Sequence, residues 1–425
     1  MSEAPSELKK ILRNAASVLL GSAGGELLTT YALGLAAVGL GPAGFGVLST
    51  ARAFTEPFQS IAGFGMGTVA LTLAARRGGL DAALRGTVFY LSLGFAVVAT
   101  GLSMGLAALT GRGGPMPVVA LATVATALVP LNAAASLPFT HERRAERLIF
   151  VPTLVGLFRL ATAWAAWRFV RSAFSFQLSA TASGVLSALL TLGVSWRHYG
   201  LRFTFDRALA RRLLSMAWPA AAVEFVVMAY MRASYFFLHD AGPRVQGEYA
   251  AADQLSRPVL TLAGVLMVSA LPTVARIAAD RAFEALTTVY RKSLVRALLV
   301  LVPLASVVWW LAPAILTRAA PAYASAATPF RVLLFGTLCM CLNQLSSTFI
   351  VAMGRFRLIL VVALINFAVY VVLARWAIPR YQATGAAIAT AVMEGVNSLM
   401  QLVIVALLLR DGRRQSAQGP KAEQP

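Results

Sequence analysis

The sequence predicts an all-α protein that crosses a membrane about twelve times and has no soluble domain of any size. Hydrophobic residues make up 58% of the 425 positions and charged residues only 13%, whereas a soluble domain has about 25% charged residues. The apolar residues fall into runs long enough to cross a bilayer, which takes about 20 residues per helix because the hydrocarbon core is about 30 Å thick. The polar stretches between these runs are too short to fold alone.

Twelve apolar runs bounded by charged breaks are the predicted membrane-spanning helices, called spans one to twelve. The second and eighth runs are long, so we expect them to tilt or to project beyond the bilayer. No cleavable signal peptide is evident, because the polar start leads directly into a long apolar run. The predicted spans are 11–39, 45–74, 86–110, 115–139, 148–168, 173–195, 213–238, 247–275, 294–317, 326–352, 357–377 and 383–409.

Basic residues lie at the ends of the apolar runs, and their density alternates from loop to loop. Arginine and lysine are concentrated before span one, in every second loop after it and behind span twelve. The positive-inside rule then places both termini in the cytoplasm. The same distribution accounts for the formal net charge of +20, so no nucleic-acid-binding face is expected.

The chain resembles a duplicated unit. Gly41-Pro42 before span two aligns with Gly242-Pro243 before span eight, and Pro57 aligns with Pro258. Each proline removes a helix hydrogen bond, which makes both candidate hinges, although a static kink is the alternative. Two halves of six spans would be related by a pseudo-two-fold axis along the membrane normal, as in transporters with parallel repeats. The predicted domains are an N-terminal six-helix lobe at 1–200, a C-terminal six-helix lobe at 201–410 and a polar cytoplasmic tail at 411–425.

Charged residues inside the spans are candidate substrate contacts, because a charge at mid-bilayer costs about 3 kcal/mol and usually faces a cavity or a partner. Spans two and eight each carry an acid and an arginine four residues apart on one helix face, and their order is reversed between the repeats. Either each pair closes within its own helix, or the charges line a cavity and pair between the lobes. The candidate cavity residues are Arg52, Glu56, Asp253, Arg257, Arg159 and Glu224.

Three other charges inside spans receive separate interpretations. Glu26 follows Gly24-Gly25, where a helix can deform, and is a candidate ion-coupling site. Arg232 lies near the end of span seven, so we expect its side chain to reach the membrane interface. Glu394 lies in span twelve.

The sequence lacks the signatures of an enzyme. It has no Walker A motif, and none of its lysines lies in a glycine-rich loop. Its three histidines are scattered, and Cys339 and Cys341 point to different sides of one helix, so neither a metal site nor a disulfide is expected. The predicted outer loops are too short to form a catalytic loop. We therefore expect no catalytic residue, no cofactor and no metal.

Short motifs resemble those of a known family. Residues 39–46 read GLGPAGFG before span two, residues 247–249 read GEY before span eight, and residues 381–386 read YQATGA before span twelve. Together with the basic start and the first span, these motifs resemble the polysaccharide (O-antigen) flippases of the multidrug/oligosaccharidyl-lipid/polysaccharide exporter superfamily. The resemblance covers nearly the whole chain.

The resemblance implies a flippase of the bacterial inner membrane that moves an undecaprenyl-pyrophosphate-linked oligosaccharide by alternating access. The product would serve O-antigen (lipopolysaccharide), capsule or exopolysaccharide assembly. A pyrophosphate head group needs a hydrated cavity with cationic groups. Relatives that flip the peptidoglycan precursor use arginines on spans two and eight, where Arg52 and Arg257 lie, but their larger number of spans argues against that subfamily.

The implied partners are the lipid-linked oligosaccharide, membrane lipids, and a polysaccharide polymerase with its glycosyltransferases. Two other functions stay open. One is a drug/ion antiporter of the same fold, in which a carboxylate such as Glu26 couples ions. The other is a non-transporting scaffold of a polysaccharide assembly complex, or a membrane enzyme.

Overall fold

A computed structural model gives the structure of the chain. It describes residues 4–77, 79–142, 144–200, 204–257, 260, 274, 277, 280 and 282–417, and for residues 4–23, 75, 76, 145, 315, 319, 356 and 415–417 it describes the backbone alone. The described residues form α-helices, short 3-10 turns and the links between them, with no strand among them. The all-α prediction is confirmed. Contacts between residues divide the chain into a first unit, Met1–Phe236, and a second unit, Phe237–Pro425.

Seven helices are described in the first unit. Local sequence explains several of their ends: Asp81 caps α3 by accepting a hydrogen bond from the Leu84 amide at 2.7 Å, and Ser172 and Ser175 form a capping box at the start of α6. The helices are α1 (Ala4–Gly63), α2 (Met66–Arg77), α3 (Ala82–Thr110), α4 (Met116–His141), α5 (Phe150–Phe169), α6 (Ala173–Tyr199) and α7 (Arg207–Phe237).

The first two predicted spans form one long helix with a break, followed by a short helix. Gly41 interrupts α1 with φ 63° and ψ 178°, which separates span one from span two. Span two is interrupted again at Phe64 and Gly65, which have φ of 43° and 64°. The helix runs through Pro57 with no non-helical residue, so the break in span two lies after the proline.

Helix α7, which the sequence analysis places first in the C-terminal lobe, contributes to the core of the first unit. Leu213 and Ala217 of α7 are fully buried in one cluster with Met66 and Leu73 of α2 and Leu84 of α3. The boundary between the two contact units accordingly lies at Phe236, and the six-helix lobes at 1–200 and 201–410 stay a prediction.

Four helices are described in the second unit. They are α8 (243–257), α9 (Phe283–Ala319), α10 (Ala327–Ala352) and α11 (Phe356–Ala417). Spans eleven and twelve join into α11, broken at Gln382 with φ 49° and ψ −122°. Tyr290 of α9 packs on Phe349 of α10 with ring centroids 4.9 Å apart, in one core with Val405 of α11. Most of span eight beyond Arg257, including Pro258, lies outside the described residues.

The described helices are long and apolar enough for a multi-pass membrane protein. Within the described part of the chain, nine helical stretches meet the length and hydropathy of a membrane span. Two of them, Gly24–Ala74 and Arg357–Arg414, contain the breaks described above and each cover two predicted spans. Large apolar side chains on these helices face outward, among them Leu109 and Trp310, which are 86% and 74% exposed. A chain of about twelve membrane-spanning helices accounts for these observations.

Candidate functional site

An open cavity of about 320 Å³ lies within the first unit, between α1, α4, α5 and α6. It brings together Arg52, Glu56 and Arg159, three of the six residues that the sequence analysis assigned to a cavity. Arg52 and Glu56 come from the part of α1 that follows the break at Gly41, and Arg159 comes from α5. Their convergence depends on helix packing, because span five is distant from span two in the sequence.

A neutral amide orients the guanidinium of Arg52. Its Nε donates to Gln177 Oε1 on α6 at 2.9 Å. Gln177 is only 1% exposed, and Thr181 one turn later donates its hydroxyl to the Gln177 carbonyl at 2.9 Å. Since an amide carries no net charge, this hydrogen bond positions Arg52 without neutralising it.

Polar side chains and small apolar side chains together form the remaining wall. Thr126 of α4 donates to Thr55 of α1 at 3.1 Å, which joins the two helices beside Arg52. Ser183 and Ser187 of α6 also line the cavity, and Ser187 accepts a hydrogen bond from Asn132 Nδ2 of α4 at 3.0 Å. These groups can donate and accept hydrogen bonds, so the wall suits a hydrated or hydroxyl-rich ligand.

Arg159 supplies a second positive charge to the cavity. Among the described residues its guanidinium has no carboxylate within 4 Å, and Glu26 on α1 attracts it electrostatically from farther away. The Thr162 and Ser179 hydroxyls donate to its backbone carbonyl at 3.2 and 3.3 Å. The cavity therefore contains a guanidinium that is available to an anionic ligand.

Glu56 forms an ion pair with Arg232 of α7. The Arg232 side chain is only 11% exposed, so the expectation that it reaches the membrane interface was wrong. Helix α7 packs against α1 at this level, where Phe236 and Phe54 lie with ring centroids 5.3 Å apart. This packing places Arg232 beside the carboxylate and allows the two charges to share a partly buried site.

The charged pair of span eight closes within its own helix. Arg257 Nη2 lies 2.8 Å from Asp253 Oδ2, one turn apart on α8; this contact is present within the helix, and pairing between the lobes stays a prediction. Glu224 on α7 and Glu26 on α1 are both exposed. Glu224 has no hydrogen bond or ion pair among the described residues. Neither carboxylate lines the cavity.

Two polar groups in the spans were not assigned a role from the sequence. Gln177 is one, and its signal is an amide in an apolar run with a threonine one turn later. Glu394 of α11 is the other: it is 2% exposed, and its Oε2 accepts from Asn343 at 2.6 Å and from Asn397 at 3.1 Å. In the described part of the chain, no group of three histidine, cysteine or acidic side chains is placed to hold a metal.

Solved structures with the same fold are transporters. An inward-facing multidrug resistance MATE family transporter of the MOP superfamily superimposes with a TM-score of 0.75 at 13% identity, covering 92% of this chain and 96% of that one. An outward-facing MATE transporter of that superfamily gives 0.66 at 16% identity, covering 96% of each chain. A mutant of the Vibrio cholerae MATE transporter VcmN gives 0.63 at 12% identity, covering 97% and 99%.

At these identities the structural likeness establishes the fold alone. No curated protein sequence matches the chain. The model of a protein family described as "polysaccharide biosynthesis protein" matches residues 39–320, a range that contains the cavity and its arginines. This chain therefore belongs to the polysaccharide biosynthesis protein family, with the fold of the MOP-superfamily transporters.

Proposed function

We propose that this protein is a flippase and not an enzyme. It moves an undecaprenyl-pyrophosphate-linked oligosaccharide across the bacterial inner membrane by alternating access, for O-antigen, capsule or exopolysaccharide assembly. Family membership and the transporter fold support a membrane transporter. The substrate is inferred from the cavity of the first unit, and both termini are assigned to the cytoplasm from the distribution of basic residues.

The charge of the cavity carries this proposal. Among the described residues that line the cavity, two guanidinium groups, Arg52 and Arg159, stand against one carboxylate, Glu56, which is itself paired with Arg232 of α7. Charges inside the membrane are costly and mark the path of a substrate or ion. An excess of guanidinium groups favours an anionic substrate, and it repels the cationic compounds that a drug antiporter would move.

Guanidinium groups match the geometry of a pyrophosphate. Each can donate two parallel hydrogen bonds to phosphate oxygens, and such charge-assisted bonds are about twice as strong as neutral ones. In this arrangement Gln177 keeps Arg52 in position for the phosphate, and Arg159 approaches it from the facing helix. The hydroxyl groups of α4 and α6 that line the cavity then receive the sugar hydroxyls, while the lipid tail stays in the bilayer.

The test removes the positive charge of the cavity. In cells that lack the native gene, the double variant Arg52→Gln/Arg159→Gln should lower surface polysaccharide by at least about 10-fold, because each lost charge-assisted hydrogen bond is worth about 1.5–3 kcal/mol. The amount of protein in the membrane should not change. Export is measured by immunoblotting or staining of the surface polysaccharide.

Arg77→Gln is the matched control. It removes an arginine of the same unit that pairs with Asp81 at 3.6 Å, away from the cavity, and should leave export unchanged. Normal export by the double variant would exclude the cavity as the anion site. Normal polysaccharide combined with increased drug sensitivity in cells lacking the protein would favour the antiporter instead.

A further inference from the structure

A second cavity, of about 440 Å³, opens at one end of the first unit. It lies where α3 begins and where α4 and α6 end, and it shares no lining residue with the cavity around Arg52. His141 and His198, which are far apart in the sequence, both line it, together with Arg85, Glu142 and Tyr199. The tertiary structure thus brings together two of the chain's three histidines with an arginine.

Arg85 is the positive centre of this cavity. Its Nε is buried without a hydrogen-bond partner, and among the described residues no carboxylate lies within 4 Å of its guanidinium. It has a long contact to the Tyr199 carbonyl, at 3.4 Å, and lies 5.7 Å from the centroid of the Tyr199 ring. The half-buried guanidinium of Arg85 therefore has N–H groups that can donate hydrogen bonds to an anion.

The single acid of the lining is already engaged. Glu142 accepts a hydrogen bond from the Tyr199 hydroxyl at 2.9 Å and pairs with Arg144 at 3.6 Å. Arg147 also acts electrostatically on the Tyr199 hydroxyl. Arg144 and Arg147 therefore add positive charge beside a lining that contains one arginine and one carboxylate.

The histidines add polar rings to the lining of this cavity. His198 Nδ1 lies 2.9 Å from the Val194 carbonyl, so the ring donates from Nδ1 and leaves Nε2 for a ligand. Arg85 and Glu142 are the charged side chains that line the cavity with them.

The position of the cavity suits a lipid head group. It lies at the end of the unit where basic residues are concentrated. Two exposed aromatic residues are close in sequence to its lining: Trp196, two residues before His198, is 63% exposed, and Phe205, six residues after Tyr199, is 50% exposed. Aromatic residues of this kind lie at the level of the lipid head groups, and basic groups beside them attract anionic lipids.

We propose that this cavity binds the phosphate or pyrophosphate group of a lipid in the adjacent leaflet. Arg85 binds the phosphate oxygens, the histidine rings line the cavity beside them, and the acyl or isoprenyl chain lies along the exposed apolar side chains. The site is separate from the cavity around Arg52 and does not depend on the transport proposed there. The end of the unit that faces the cytoplasm in the predicted topology would then hold a phospholipid or a lipid-linked pyrophosphate.

The experiment measures binding to the purified full-length protein in detergent. The probes are farnesyl pyrophosphate, inorganic pyrophosphate and farnesol. All variants are made in the Arg52→Gln/Arg159→Gln protein, called the background, so that binding in the cavity around Arg52 does not contribute to the measurement. In that background, adding Arg85→Gln should weaken the binding of farnesyl pyrophosphate about 10-fold, as the loss of a charge-assisted hydrogen bond predicts, whereas adding Arg77→Gln should leave it unchanged.

A second variant addresses the histidines. At one fixed pH, His141→Gln/His198→Gln made in the same background should bind farnesyl pyrophosphate more weakly than the background protein, because both rings line the cavity. The melting temperatures of all variants are measured, and the histidine pair provides an independent test if Arg85→Gln fails to fold.

Each outcome decides a different point. Unchanged binding in both the Arg85 and the histidine variants would overturn the proposal. Equal affinity for inorganic pyrophosphate would show a site for free phosphate and overturn its assignment to a lipid. If Arg85→Gln abolishes binding while Arg52→Gln/Arg159→Gln does not weaken it, this site stands and the anion site proposed in the first cavity fails.

Discussion

At the scale of single residues, two glycines show how the duplicated sequence is reflected in the backbone. Gly41 has φ 63° and ψ 178°, and Gly242 has φ 92° and ψ 164°. Both angles lie in a region that is essentially restricted to glycine. The extended ψ is what a following proline requires, and Pro42 and Pro243 each start a helix, where a missing amide costs nothing. The Gly-Pro pairs are therefore conformational signals for the starts of spans two and eight.

Gly41→Ala should lower the free energy of unfolding by about 1–3 kcal/mol, the cost of holding a non-glycine residue in this region. No atom lies within 4 Å of an added Cβ at this position, so the loss would come from backbone strain and not from a clash. Gly34→Ala is the control, because Gly34 also has open space around it but lies in regular helix. Thermal unfolding of the purified proteins should separate the two. Equal melting temperatures would contradict this explanation.

At the scale of helices, glycines allow α1 and α5 to come close together. A Cβ on Gly25 would lie 2.5 Å from the Pro152 carbonyl oxygen, and one on Gly156 would lie 3.2 Å from the Gly25 Cα. Small residues at such contacts let helix backbones approach in a membrane. The contact holds α5 against α1, and Arg159 lies one turn beyond Gly156. Helix packing at glycines thus positions the second arginine of the cavity.

Gly25→Ala should therefore separate α1 from α5 and destabilise the protein by about 1–3 kcal/mol, the usual cost of overpacking. It should also reduce export, because Arg159 would move with α5. Gly24→Ala is a matched control one residue away, where the nearest atom to an added Cβ is the Thr153 hydroxyl at an ordinary 3.8 Å. Melting temperature and surface polysaccharide are measured for both variants. Equal loss in the two would mean that close packing is not the cause.

At the scale of the whole molecule, charge at the helix ends determines how the chain is inserted. The alternation of basic loops predicts that α2, α4 and α6 end on the same side of the membrane, where α3, α5 and α7 begin. The cavity around Arg85 belongs to this side. The same topology would determine which loops the candidate partners, a polysaccharide polymerase and glycosyltransferases, can contact. Only loops on the cytoplasmic side can contact cytoplasmic enzymes.

Reporter fusions test the topology directly. A reporter that is active only in the periplasm should give signal when fused near Pro42 or Arg244, and none when fused near Asp81 or Asp206. The loops that contain Asp81 and Asp206 have an excess of arginine and lysine, and such loops are retained in the cytoplasm. A reversed signal at one of these positions would show that a span is misassigned. The protein made from each fusion is quantified by immunoblotting as the control.

The sequence by itself determined the all-α class, the approximate number of spans and the family. These properties depend on features that a single chain displays directly: the length of its apolar runs, the charges at their ends and short motifs beside glycine and proline. The sequence also pointed to Arg52, Glu56 and Arg159, since a charge inside an apolar run is recognisable wherever it lies. The sequence predicted loops of several residues between spans one and two and between spans eleven and twelve. The structure has breaks at Gly41 and Gln382 instead, because one residue with positive φ is enough to interrupt a helix.

Only the tertiary structure decided which groups meet. The rotation and packing of each helix set its neighbours, and these depend on side chains of other helices. Arg52 therefore contacts Gln177 and Glu56 contacts Arg232, both on other helices, whereas Arg257 contacts Asp253 of its own helix. The same reason explains why His141 and His198, scattered in the sequence, line one cavity. Local spacing could predict the pair that shares a helix, whereas contacts between helices required the packed fold.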